Sequence, residues 1–345
     1  MWRKFRRHRL AVLGTAVVAL FYLVAVFCEF VATQDPNKRN TDFIHVPPQT
    51  VHFFGSRGFG PYVYGLKATS DPKTWRRIYQ EDMSVENPIH LFVRGDKYKL
   101  WGLFESDIHL FGTRQGTFYL LGSDDSGRDM FSRIVYGIRV SMSIGLVGVA
   151  FTFVLGCVLG AISGYYGGIV DFTIQRVIEF IASMPSIPLW LALSAALPKE
   201  WSPTRVYFGI SVILSLIGWC GLARVVRGKM LELREQDYIL ASQLAGASDA
   251  VIIFDHLLPG FMSYLIVNIT LSIPGMILGE TALSFLGLGL RPPAVSLGVL
   301  LKGAQNLNAI ALHPWMMLPG VFIFVAVLAF NFMGDGLRDA ADPYK

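Results

Sequence analysis

The sequence predicts an all-α polytopic membrane protein with six transmembrane helices and, between the first and second, a mixed α/β insert of roughly 100 residues. Composition is the first reason: 53% hydrophobic against 16% charged residues over 345 positions, with a mean hydropathy of +0.47, is too apolar for an ordinary soluble enzyme. The second is that six runs approach the length of about 20 mainly apolar residues that a helix needs to cross hydrocarbon. The third is that most polar material is gathered in one stretch, residues 33–138.

The first run extends from Leu10 to Ala32 behind Arg3, Lys4, Arg6, Arg7 and Arg9. A signal peptide would have a shorter apolar core, and Phe30 spoils the small-residue cleavage pattern before Ala32, so residues 1–32 are expected to stay as a basic terminus and first span. The insert, residues 33–138, carries Pro47-Pro48, Gly55, Gly58, Gly60 and many aromatics from Phe53 to Trp101, and it is too long to lack structure in a compact protein. Ile89–Val93, Tyr98–Trp101 and Gly116–Leu121 have the β-branched and aromatic content of short strands, with helical turns between them. It ends in Ser123-Asp124-Asp125-Ser126-Gly127-Arg128-Asp129, which lacks the full spacing and distal Glu of a calcium loop, so no metal is expected there. Arg128, Asp129, Arg133 and Arg139 are expected at the outer membrane surface, paired or among headgroups.

Residues 139–345 hold the other five spans. Val140–Gly164 carries Gly156, Gly160 and Gly164 at four-residue spacing, which admits another helix closely. Val170–Leu197 is interrupted by Arg176 and Glu179, one turn apart and able to pair. Val206–Ala223, Phe261–Leu290 and Trp315–Met333 complete the set, followed by a polar tail from Asp335 to Lys345. Pro185, Pro188, Pro274 and Pro319 each remove a helical hydrogen bond and are expected to interrupt their spans. Glu280 lies inside the fifth span, where a carboxylate is costly; Ser272, Thr281 and Ser284 are near enough in sequence to satisfy it, and a packing network and a pathway lining both stay open. Cys28, Cys157 and Cys220 all fall in apolar runs without CxxC spacing and read as small buried side chains.

Arg3 to Arg9 and Arg224, Arg227, Lys229 and Arg234 mark one side, which places both termini and residues 234–260 in the cytoplasm and the insert outside it. The net charge of +5 is not gathered on a basic face interleaved with aromatics, so nucleic acid is not expected as a partner. The chain has no Gly-x4-Gly-Lys-Ser/Thr loop, and its seven histidines show no catalytic or metal-ligand spacing. No catalytic residue and no cofactor of its own are expected. A membrane enzyme would need a nucleophile and base that the insert does not supply.

Tyr238 to Pro259 is polar although it lies between two apolar runs. Two short helices are implied, one ending at Gly246 in a left-handed cap and one opening at Ser248-Asp249, with Pro259-Gly260 breaking the second. At these residues the chain resembles the inner-membrane permease subunits of ABC importers, whose cytoplasmic pattern is matched by Ala241-Ser242, Gly246, Ile253 and Leu258-Pro259, with Leu240 in place of the first Glu. Leu121–Arg133 and Glu280–Pro293 look like the second permease of dipeptide and oligopeptide importers. The resemblance covers residues 1–32 loosely and 118–345 closely.

It implies a bacterial inner-membrane subunit of six-helix ABC importer type, moving dipeptides or oligopeptides by alternating access. It implies that Tyr238, Ala241, Ser242, Ala245, Gly246, Ala247, Ser248, Asp249 and Pro259 form a docking loop for a cytoplasmic ATPase. Asp124, Gly127, Arg128, Asp129 and Arg133 would form a structural turn. The implied partners are a second permease, two ATPases that bind ATP and Mg, an extracytoplasmic solute-binding protein and membrane lipid. Related permeases share these motifs, so a metal chelate, a glycopeptide or a peptide antibiotic stays open as substrate. An ion-coupled secondary transporter would need more intramembrane charge than Glu280 and a clear internal repeat. The insert reads either as a contact for the binding protein or outer mouth, or as a cap on the helix ends.

Overall fold

A computed structural model describes residues 2–55, 58–70, 77–305 and 307–341; the Arg3 side chain and the last four residues of the polar tail lie outside the described residues. Among the described residues five helices are long and apolar enough to cross a membrane, or six spans if one bent pair counts as a single crossing. The long helices are α1 Arg9–Val26, α2 Met130–Tyr166, α5 Pro203–Leu233, α7 Met262–Phe285 and α8 Leu318–Ala341. The bent pair is α3 Gly168–Ala182 and α4 Ser186–Ala195, and α6 is the short helix Asp237–Leu244.

The third span is therefore not one straight helix. Its halves meet at 86° across Ser183 to Pro185. Pro185 sits extended (φ −60°, ψ 128°) ahead of α4, and the residue before a proline is disfavoured in the helical region, so α3, which ends at Ala182, cannot run on through Met184. Three other prolines do not break a helix: Pro188 lies in the first turn of α4 and Pro319 in the first turn of α8, where no N–H is needed, and Pro274 lies inside the continuous α7. Helix bounds also differ from the apolar runs. α2 begins ten residues before Val140, so the interfacial segment and second span are one helix; α7 ends at Phe285, and α8 runs through Asp335 to Ala341.

The residues fall into two compact units. The first holds Met1–Ala19, Ser143–Leu283 and Phe324–Lys345. The glycine stripe of α2 meets α5 there: a Cβ on Gly156 would lie 2.8 Å from Leu222 Cβ, one on Gly160 2.6 Å from the Ala223 carbonyl, and one on Gly164 2.6 Å from Met230 Cβ. This close approach buries Cys157, Ala161, Val226 and Met230 in one apolar cluster. All three cysteines are free and buried.

The second unit holds Leu20–Met142 and Ser284–Ile323. Its sheet is an antiparallel meander in the order β1 His52–Gly55, β2 Gly58–Ser70, β3 Arg77–Leu100 and β4 Phe104–Thr113. Among the described residues from 52 to 113 there is no helix, so the expectation of a mixed α/β insert with short strands is corrected to a long β ribbon. Bulges between Tyr64 and Gly65 and between Arg94 and Tyr98 let β3 run 24 residues without losing its partners. Ile89–Val93 and Tyr98–Leu100 lie in β3, whereas Gly116–Leu121 is no strand. Gly116 has φ +81°, and Tyr119 N–H donates to Gln49 Oε1 at 2.7 Å, so a side chain satisfies the backbone there in place of a ladder.

Candidate coupling site

α5 ends at Leu233, and the guanidinium of its C-cap residue Arg234 donates to the carbonyls of Gly164 and Tyr165 at the end of α2 (3.3 and 3.5 Å). α6 then presents two faces. Ile239 is fully buried in the cluster of Cys157, Val226, Met230, Ile252, Ile253 and Leu257, while Tyr238, Leu240, Ala241, Leu244 and Ala245 are exposed, Leu244 to 90%. Ser242 is half-buried and donates its hydroxyl to the Tyr238 carbonyl at 2.9 Å.

The helix closes as the sequence implies. Gly246 has φ +82°; its N–H donates to Gln243 O (3.0 Å) and that of Ala247 to Ser242 O (3.1 Å), the two bonds of a Schellman cap. No heavy atom lies within 4 Å of where a Gly246 Cβ would be, so the glycine answers to backbone conformation and not to crowding. Ser248 stands extended before the next helix, but its hydroxyl makes no cap bond. Asp249 instead accepts from the hydroxyls of Tyr165 (2.8 Å) and Tyr166 (3.1 Å).

The second helix ends at Gly260, as Pro259-Gly260 implies. It passes through a π turn over Ile252–Leu257 into Leu258–Gly260, and the chain leaves helical geometry at Phe261 (φ −126°, ψ 23°). Pro259, exposed, stands at the opening of that last turn, where its missing N–H is tolerated. Arg234 and Asp249 thus tie both ends of the 234–249 segment to the end of α2.

A second anchor was not read from the sequence. Arg227 holds Asp171 with two bonds of 2.6 Å, Ser163 donates to the same carboxylate, and Gln175 donates to Ser163 at 3.1 Å. Asp171 lies near the start of α3, so its partner 56 positions away gave no local signal. The pair is partly exposed, and we expect a double-mutant cycle of Asp171→Asn and Arg227→Gln to return a coupling of about 1–2 kcal/mol in detergent unfolding. A coupling indistinguishable from zero would make the pair incidental. Arg176 and Glu179 do pair, at 2.6 Å on an exposed face.

Glu280 is fully buried in α7. Ser272 donates to the Asn268 carbonyl at 2.7 Å, and the Thr281 hydroxyl is buried without a hydrogen-bond partner, so neither plays the satisfying role expected of it. In the second unit, Ser284 Oγ accepts from Leu290 N–H at 3.1 Å and closes the turn after α7.

The predicted turn of the second unit is built on Asp124. Its Oδ1 accepts from the N–H groups of Ser126 (2.8 Å) and Arg128 (3.0 Å), and its Oδ2 from the Arg128 guanidinium (2.8 Å) and from Arg133. Gly127 has φ +71°, and a Cβ there would overlap the Asn40 carbonyl. Asp129 caps α2: its Oδ2 accepts from Ser132 N–H at 2.8 Å and from Thr33 at 3.1 Å. Burial pushes the Asp129 carboxyl up, against the pull of the bonds from Ser132 and Thr33. Burial likewise raises the Tyr119 phenol to about 12, with the Asp129 charge adding to it. Arg139 is paired, not left among headgroups: it binds Glu29 (Nη1 to Oε1 2.6 Å) and the Ala25 carbonyl (2.7 Å). Glu29 escaped the sequence reading because it sits inside an apolar run. Among the described residues no group of three His, Cys, Asp or Glu is placed to hold a metal.

The family described as binding-protein-dependent transport system inner membrane component matches residues 156–344, more than half of the chain and all of the 234–260 segment. The chain belongs to this family. The permease also matches, over residues 1–48, the family described as the N-terminal TM domain of oligopeptide transport permease C. It is 32% identical to the dipeptide transport system permease protein of Lactococcus lactis, over 99% of this chain and 89% of that one. To the oligopeptide transport system permease protein of Bacillus subtilis it is 38% identical, over 64% of this chain and 70% of that one. A solved methionine ABC transporter in inward-facing form covers 62% of this chain and 98% of its own at 22% identity, with a TM-score of 0.48. By its family and its long apolar helices the permease is a multi-pass inner-membrane protein of ABC importer type.

Proposed function

We propose that the permease is one of two membrane subunits of an ATP-driven bacterial importer of dipeptides or oligopeptides, and that α6 with the turn to Asp249 is where a cytoplasmic ATPase docks. The observation that carries this reading is the exposed apolar face of Tyr238, Leu240 and Leu244 on a helix pinned from behind by the buried Ile239. An exposed face on a rigidly held helix can transmit a push; a floppy loop would absorb it. Force on α6 would pass through Ile239 into the cluster shared by α2 and α5, and through Asp249 and Arg234 to the end of α2. The names of the curated relatives support the peptide substrate.

In this reading the two ATPase subunits bind ATP and Mg and carry out hydrolysis, a second permease completes the pathway, and a solute-binding protein delivers substrate to the opposite face. Both termini and the 234–260 segment face the cytoplasm, and the β ribbon faces outward. By reciprocity, a loaded binding protein alters the ATPase cycle as much as nucleotide alters the permease.

The test is to purify the tagged chain from its native membrane after crosslinking at Leu244→Cys, the native cysteines being buried. We expect a crosslinked ATPase and a co-purifying second permease, together with loss of growth on defined di- and oligopeptides when the chain is deleted. Recovery of the chain alone would overturn the docking assignment, and unchanged growth on all peptides would overturn the substrate.

A further inference from the structure

We propose that the β3–β4 hairpin is a lipid anchor, its tip of Trp101, Leu103 and Phe104 seated in the interfacial layer of the bilayer beside the end of α1. The tip is Leu100-Trp101-Gly102-Leu103-Phe104, without a charge or a polar side chain beyond the indole N–H. It is closed by bonds from Gly102 N–H to Lys99 O and from Leu103 N–H to Leu100 O, both 3.0 Å. A hairpin turn in water is usually made from Asn, Asp and Gly. Here Trp101 itself takes the left-handed conformation (φ 54°), and Trp101, Leu103 and Phe104 are exposed to 50%, 75% and 61%. Grouped apolar side chains held outward in this way call for a partner.

The depth of the tip says which partner. Trp101 donates its indole N–H to the carbonyl of Val26 at 2.7 Å, its ring lies 5.9 Å from that of Phe27, and the Phe104 ring is 6.5 Å from Trp101. Val26 is the last residue of α1, which follows a basic terminus and whose 18 residues span about 27 Å, close to one hydrocarbon thickness. The Val26 end of the helix therefore reaches the far boundary of the hydrocarbon, the level at which tryptophans collect with the ring in apolar surroundings and the N–H on an acceptor. Leu20, Leu23 and Val26 of α1, with Phe27 just after it, form an exposed apolar face, and the hairpin tip continues it. Lys97 and Lys99 lie just behind the tip, Lys99 paired with Glu105 at 3.1 Å, where headgroup phosphates would be in reach. A lipid surface would meet the whole of this patch, since the exposed face beside it belongs to a helix long and apolar enough to cross a bilayer.

The test places a polarity-sensitive fluorophore on Leu103→Cys in the complete transporter, reconstituted in nanodiscs of phosphatidylcholine and phosphatidylglycerol. Met83→Cys, on the exposed ribbon away from the tip, is the control. The expected result is blue-shifted emission at 103, quenching several-fold stronger by lipids with a nitroxide near the headgroup than by those with one deep in the chain, and protection from iodide relative to 83. Water-like emission with full iodide quenching at 103 would overturn the proposal. So would shielding from iodide without quenching by any nitroxide lipid, which would mean that a protein partner covers the tip.

Discussion

Gly246→Val is expected to cut substrate uptake by about tenfold or more while the protein still inserts and purifies in normal amount. The residue adopts φ +82°, and a β-branched side chain in that region costs on the order of 1–2 kcal/mol, enough to shift a two-state cap by about tenfold. Space is not the constraint, because nothing stands within 4 Å of the missing Cβ. The order of substitutions therefore follows backbone tolerance: Asn, which visits the left-handed region, should retain most activity, Ala should fall between, and Val should be worst. The structural consequence is loss of the bonds from Gly246 and Ala247 to Gln243 and Ser242, so the face of Tyr238, Leu240 and Leu244 would no longer be held in one orientation. Ala245→Asp should act by another route: it places a carboxylate at the negative end of α6 and on the exposed face, and if α6 is the proposed docking site it weakens attachment of an ATPase with little change in melting temperature. Uptake, stimulated ATPase rate and thermal melting measured together separate the two. Equal transport by the Val and Asn variants would remove the cap from the coupling mechanism.

Asp124→Ala should destabilise the second unit by about 3–5 kcal/mol, a cost set by what it leaves behind. Arg133 is buried, its Nε already lacks a hydrogen-bond partner, and Asp124 supplies the carboxylate it is bound to; without it a guanidinium stays buried and uncompensated. The same substitution removes the acceptor for Ser126 and Arg128 N–H groups, opening the turn that carries Gly127 against Asn40. Two companions distinguish charge from turn geometry. Asp124→Asn keeps an acceptor for the backbone and should lose less, and Arg133→Met added to Asp124→Ala should recover a large part of the loss by removing the stranded charge. Unfolding in detergent followed by melting temperature reads all three. If the double variant were no more stable than Asp124→Ala, the buried charge would not be the cause.

The long spans were legible because the bilayer reading depends on run length alone, which sequence displays directly. The Gly246 cap was legible for a related reason: its signal is one residue type at a helix end. The 86° bend between α3 and α4 was in reach as well, since Met184-Pro185 and Pro188 stand in the middle of the run, but prolines also occur in continuous helices, as Pro274 does in α7. What Pro185 does differently is stand at a helix start in extended geometry. The insert was misjudged because aromatic runs bounded by Gly or Asp do not reveal their register; bulges joined what looked like separate strands into one of 24 residues.

The sequence by itself determined the apolar spans, the close glycine stripe of α2, the left-handed turn at Gly246 and the family pattern around it, all of which depend on residues within a few turns of one another. Tertiary structure alone decided the pairing of Asp171 with Arg227 and of Glu29 with Arg139, the burial of Ile239 beneath an exposed face, the use of Asp249 by Tyr165 and Tyr166, and the meeting of Trp101 with Val26. Each joins groups distant in sequence, and a charge or an indole carries no record of its partner until chain topology brings the two within about 3 Å and excludes the water that would otherwise satisfy both.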